Sequence, residues 1–187
     1  TTMLADPVLA AGTHPETGEA LSDNQTFTYR LLDEHSSVDP GIAEDVSGAE
    51  VIRDLFEGLM NQDENGNLVP GVATGYTANE EKNVYTFTLR DNAKWSDGTP
   101  VTAGDFVYAW RRAASPELAS PYAWYIELMS IENAAQIIAG EMTPDTLGVT
   151  AIDDHTLEVR LTASLPYFPL MTTHTTTFPV PAATIEA

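Results

Sequence analysis

The chain has 187 residues, with 28 Asp and Glu against 8 Lys and Arg, a formal net charge of −20, and no cysteine. Such a charge repels phosphate backbones and anionic lipid surfaces, which makes nucleic acid and membranes poor partners. The lack of cysteine excludes a disulfide framework, a thiol nucleophile and thiolate-held metals.

Residues 1–23 are small, polar and Pro/Gly-containing and read as an extended lead-in. The apolar run 27–32 predicts a short strand, and the acidic stretch 33–46, with Pro40 and Gly41, predicts a loop. A helix is expected to open at Ser47, with Glu50 completing a capping box and Val46 and Val51 at the staple positions. Val51, Ile52, Leu55, Phe56 and Leu59 then recur at helical spacing. Asn65-Gly66 is a tight-turn signal between two apolar pairs. Residues 84–89 alternate, with Tyr85, Phe87 and Leu89 on one side, as a half-buried strand requires. Thr102 and Asp105 form a second capping pattern, stapled by Val101 and Phe106, and this helix runs to about Ala114. Ser120-Pro121 is read as a helix start, and the helical stretch 134–139 ends at Gly140. Residues 149–152 and 156–161 predict a hairpin around Asp153-Asp154-His155; beyond Pro166 the chain is Thr- and Pro-rich, and its last stretch reads as extended. Hairpins mixed with separated helices give an α+β fold class.

Little in the residues points to catalysis. His14, His35, His155 and His174 show no metal-ligand spacing, and no cofactor or metal site is expected. Asp153-Asp154-His155 suits a turn better than an acid–base pair. Nucleophile-elbow and phosphate-loop motifs are missing, so an enzyme has no support. Phe106 and Trp110, four apart on one helix, belong to the core; Tyr108 lies on a different face, where its apolar body and polar tip suit either a core or a ligand-facing wall.

Several segments carry a more specific signal. RDLFEGL (53–59), PGVA (70–73), NAKWSDGTPVTAGDFVYAWRR (92–112), SPYA (120–123), DDHTLEV (153–159) and PYF (166–168) occur in this order. Together, over about residues 24–181, they closely resemble the periplasmic oligopeptide-binding proteins of ABC importers, the peptide class of solute-binding proteins.

That resemblance implies two lobes closing on an extended peptide. Residues 46–165 would be the small α+β domain, residues 1–45 a piece of the first lobe, and residues 166–187 the start of the return into it. The chain would then be an N-terminal fragment of a monomeric, periplasmic or extracytoplasmic carrier, exported by a signal peptide not present here. It would take up short peptides and pass them to a membrane ABC permease, with no cofactor. Four residues are carried over as ligand-binding. Glu34, His35 and Ser36 match the segment bordering the peptide, whose backbone can pair with an extended ligand, and Tyr108 matches an aromatic lining a side-chain pocket. His35 and Ser36 stand where apolar or amide residues are more usual. The family's anchors for the peptide termini belong to the other lobe, so the fragment alone would bind peptide weakly or not at all. The alternative is a stand-alone structural or protein-interaction module derived from the small domain.

Overall fold

A computed structural model describes residues 12–13, 18–22, 24, 26 and 28–187. These fall into two compact units, divided between Leu32 and Asp33. In the first, an isolated bridge joins Thr13 to Ala20, and Leu21 N–H donates to the Gly12 carbonyl at 2.8 Å. The strand expected over 27–32 does not form across 28–32, and Phe27 lies outside the described residues. A strand needs a neighbouring ladder, and none pairs with 28–32 among the described residues.

The second unit is built on a four-stranded antiparallel sheet in the order β3-β4-β6-β5, from β3 (Ala73–Ala78), β4 (Val84–Leu89), β5 (Val149–Asp153) and β6 (Thr156–Arg160). The alternation expected for β4 is observed: Tyr85, Phe87 and Leu89 are buried, while Thr88 is exposed. Tyr85 stands opposite Val159, and Phe87 opposite Leu157. Phe168 covers this face, with ring centroids 5.0 Å from Tyr85 and 6.2 Å from Phe87. Burying such a side chain contributes about 2–3 kcal/mol. A two-stranded ribbon, β1 (Met60–Gln62) with β2 (Leu68–Pro70), closes through the expected turn, where Gly66 takes φ +79°.

Among the described residues the helices are α1 (Val46–Leu55), α2 (Ala103–Ala114), α3 (Ala123–Leu128), α4 (Ala134–Ile138), α5 (Phe168–Met171) and α6 (Ala182–Ile185). Helix α2 packs on β5 and α3. It starts as expected, with the Thr102 N–H donating to the Asp105 carboxylate at 2.7 Å. Val101 and Phe106 are both buried, and Trp110 is 0% exposed. The Trp110 indole N–H donates to the Thr177 carbonyl at 2.7 Å, fixing α2 to the return segment.

Four expectations are corrected. Helix α1 is capped by Asp45, not Ser47: the Asp45 carboxylate reaches the Gly48 N–H at 2.6 Å, while the Ser47 hydroxyl accepts from Asp33 N–H. Val46 is 67% exposed, so the staple is not made, and Leu55 ends the helix 62% exposed. Ser120 does not begin α3; its hydroxyl accepts from Tyr122 N–H at 3.2 Å in a turn that precedes the helix. The last stretch is not wholly extended: it holds α6, after α5 and a 3₁₀ turn at Thr175–Thr177 earlier in the return. Threonine hydroxyls bond back to carbonyls there, Thr172 to Pro169 at 2.8 Å and Thr177 to His174 at 2.7 Å, which gives the backbone an alternative to a strand.

Candidate functional site

Of the four residues singled out from the sequence, Glu34, His35 and Ser36 lie on one irregular stretch directly before α1. Glu34 and Ser36 are exposed and His35 is half-buried. The stretch is moored to the first turn of α1. Asp33 N–H donates to the Ser47 hydroxyl at 3.4 Å. Ser36 gives both its N–H, at 2.9 Å, and its hydroxyl to the Asp45 carboxylate. Gly48 lies so close to the chain that a Cβ there would come 2.8 Å from the Ser37 carbonyl. Asp45 is held down to a pKa of about 2, first by the Ser36 hydroxyl, then by the Ser36 and Gly48 N–H groups.

Tyr108 is half-buried on α2, where it lines a cleft of about 550 Å³ with Val107, Arg111, Arg112, Leu118 and Pro144. Burial first and the Glu186 carboxylate second push its phenol up, against the pull of Arg112. The 34–36 stretch does not reach the Tyr108 cleft. They are linked at one remove. One turn after Tyr108, Arg112 makes a forked pair with Asp39, at 3.0 and 2.8 Å. The two side chains are only 17% and 20% exposed, so the pair is fixed firmly. Gly41 lies close to this joint: a Cβ there would stand 2.8 Å from the Arg112 guanidinium.

A cleft of about 720 Å³ runs from Val38, Asp39 and Pro40 to Trp95 and Ile185, with Leu55 and Phe56 on its wall. Another, of about 880 Å³, lies by Arg53, Tyr125 and His174. His174 stacks on Tyr125 at 4.3 Å. Among the described residues, no three His, Asp or Glu side chains converge as a metal's ligands would. Asp153, in the hairpin turn, accepts from His155 N–H at 2.8 Å and from the Thr156 hydroxyl at 3.1 Å, which is a turn's hydrogen bonding. The described residues thus hold a moored backbone stretch before α1 and, apart from it, a half-buried tyrosine in a cleft beside α2. Asp45 and the Asp39–Arg112 pair escaped the sequence reading. The signal for Asp45 was its place one residue before a helix, masked by the better-looking Ser47/Glu50 spacing.

Residues 67–186 match the family model described as bacterial extracellular solute-binding proteins, family 5 Middle. The periplasmic murein peptide-binding protein MppA of Escherichia coli is 51% identical over 170 residues, covering 91% of this chain and 32% of that protein. The periplasmic oligopeptide-binding protein OppA of Salmonella typhimurium is 48% identical, covering 90% and 31%. The chain thus spans about a third of the length of these curated relatives. Among solved structures, the E. coli murein tripeptide binding protein MppA superposes with a TM-score of 0.82 at 52% identity, over 83% of this chain and 30% of that one. Haemophilus influenzae OppA in complex with RPPGFSPFR gives 0.79 at 44%, over 80% and 29%.

Proposed function

Because the chain belongs to family 5 of the bacterial extracellular solute-binding proteins, we propose that it forms part of a longer extracytoplasmic protein that captures short peptides and delivers them to an ABC importer. The observation that carries this reading is the high identity, along most of the chain, to relatives named for binding murein peptide and oligopeptides. In this reading residues 46–165 are the small domain, with residues 1–45 and 166–187 contributing to the neighbouring lobe. The protein works as a monomer, without cofactor or catalysis, and a membrane permease receives the cargo.

The mechanism follows from the moored segment. Residues 34–36 border the ligand, and the backbone groups there that are not already bonded within the chain pair with an extended peptide, which gives affinity without reading side chains. Tyr108 presents an aromatic wall to one side chain. Two lobes close over the peptide because some contacts exist only in the closed state, and their free energy drives the closure. The 187 residues supply one side of such a site, so they alone hold peptide weakly.

Calorimetry with a pool of tripeptides to pentapeptides tests this. The full-length protein gives a saturable heat and the 187-residue chain gives none in the micromolar range. Absence of binding by the full-length protein contradicts the peptide reading; micromolar binding by the 187 residues contradicts the shared site.

A further inference from the structure

The cleft of about 880 Å³ is lined from α1, β1, α3 and the return segment. Its two acids are already engaged within the chain. Glu57 accepts from the Arg90 guanidinium at 2.5 Å and from the Asn61 amide at 3.3 Å. Asp63 accepts from the N–H groups of Asn65 and Asn67, at 2.9 and 2.8 Å, and from the Asn67 amide at 2.9 Å. Its carboxyl is held below the usual range by the Asn67 amide first and the Asn67 N–H second.

The cation of this cleft is not so engaged. Among the described residues Arg90, Arg112 and Arg160 each pair with a carboxylate, and Arg53 pairs with none. Its side chain bonds only to the Ala49 carbonyl of its own helix, at 3.4 Å. In a chain of net charge −20, this leaves a planar fork of donors open at a cleft. His174 lines the same cleft and adds a second donor. Its Nδ1 accepts from Thr176 N–H at 3.3 Å, which puts the proton of the neutral ring on Nε2. Among the described residues that Nε2–H has no partner. The ring is held in place by its stack on Tyr125, whose hydroxyl is itself tied to the Met171 carbonyl at 3.0 Å. The Arg53 charge acts on the imidazole, so the two donors are neighbours. Phe56, Leu170 and Phe178 complete the lining, and apolar walls strengthen a charge pair by lowering the local dielectric.

Resting on the peptide-binding reading, we propose that this cleft is a carboxylate site: Arg53, assisted by His174 Nε2–H, takes a carboxylate of the bound peptide, carried by an acidic side chain or by the C-terminus. The guanidinium can give two parallel N–H bonds to the two carboxylate oxygens, and such charge-assisted pairs are about twice as strong as neutral ones. An amide of the same shape offers one acceptor oxygen and a donor end that faces the fork badly, so the site tells acid from amide. The engaged state of Glu57 and Asp63 matters here, because free carboxylates beside Arg53 would take the place of the ligand.

Three peptides, titrated into the full-length protein by calorimetry, separate the two sources: Ala-Glu-Ala, Ala-Gln-Ala, and Ala-Gln-Ala amidated at its C-terminus. For a side-chain carboxylate, the wild type prefers Ala-Glu-Ala to Ala-Gln-Ala by about tenfold, and Arg53→Gln brings that ratio close to one. For the terminal carboxylate, the wild type prefers Ala-Gln-Ala to its amide by a similar factor, and Arg53→Gln removes that ratio instead. Arg53→Lys keeps the charge but not the fork, and so retains part of the preference. Arg53 is exposed on α1, and each ratio compares peptides within one protein, so a uniform loss of folded material does not move it. Wild-type ratios that persist in Arg53→Gln overturn the site. A wild type that shows neither preference overturns it as well. A wild type that binds none of the three overturns the peptide reading itself, and that result is read without any variant.

Discussion

At Gly71 the absence of a side chain decides the packing. A Cβ there would stand 2.6 Å from the Gly58 carbonyl and 3.0 Å from that of Leu59, both backbone atoms that cannot rotate away. Gly71→Ala should therefore cost roughly 2–4 kcal/mol in urea unfolding. Gly75→Ala, with nothing within 4 Å of its Cβ, should stay within about 0.5 kcal/mol; equal effects would contradict the packing described. His174 gives a pH dependence. Burial first, and the Arg53 charge second, hold its imidazole below the usual 6.5. The unfolded chain then takes the proton more readily than the folded one. Stability is complete above about pH 6.5 and declines as pH falls through the window between the unfolded and the lowered folded value. Protonation also removes the Nδ1 acceptor that caps Thr176 N–H at 3.3 Å. Melting temperatures from pH 8 to pH 5 should fall further for the wild type than for His174→Asn; parallel curves would contradict this. Neither feature was legible beforehand, since nothing in the sequence brings Gly58 near Gly71 or Tyr125 over His174.

Among the elements, local rules succeeded where a helix end was closed by its own neighbours. The Thr102/Asp105 box and the Val101/Phe106 staple formed because every partner lies within a few residues. Asp105→Ala should lower stability by about 1 kcal/mol by urea unfolding, as loss of an N-terminal cap does. The β4 strand and the 149–160 hairpin were legible for the same reason: period-two alternation and a turn residue fix them locally. Local rules failed where tertiary partners chose otherwise. Ser47 had the spacing of a cap, but Asp33 claimed its hydroxyl and the longer Asp45 side chain took Gly48. Strand β3 (Ala73–Ala78), rich in Gly and Thr, has no clear alternation and owes its place to pairing with β4. The Thr-rich return turned on its own hydroxyls.

For the whole molecule, composition set exclusions and little more. The −20 charge argued against nucleic acid and membrane surfaces but named no ligand. The family was legible in the ordered motif words, and the α+β class in the mixture of elements, both supported by the superposition on MppA. The candidate site was legible only in part. The resemblance pointed to Glu34, His35 and Ser36, whereas the Asp45–Ser36 hydrogen bonds and the Asp39–Arg112 pair appear only in three dimensions. The central claim is that this moored stretch and the Tyr108 wall face a bound peptide. Photolabelling of the full-length protein with a tripeptide carrying a diazirine, followed by mapping of the modified residues, tests it most directly. The account predicts label on residues 34–36 and on Tyr108, competed away by unlabelled peptide. Competable labelling confined to other residues would contradict it.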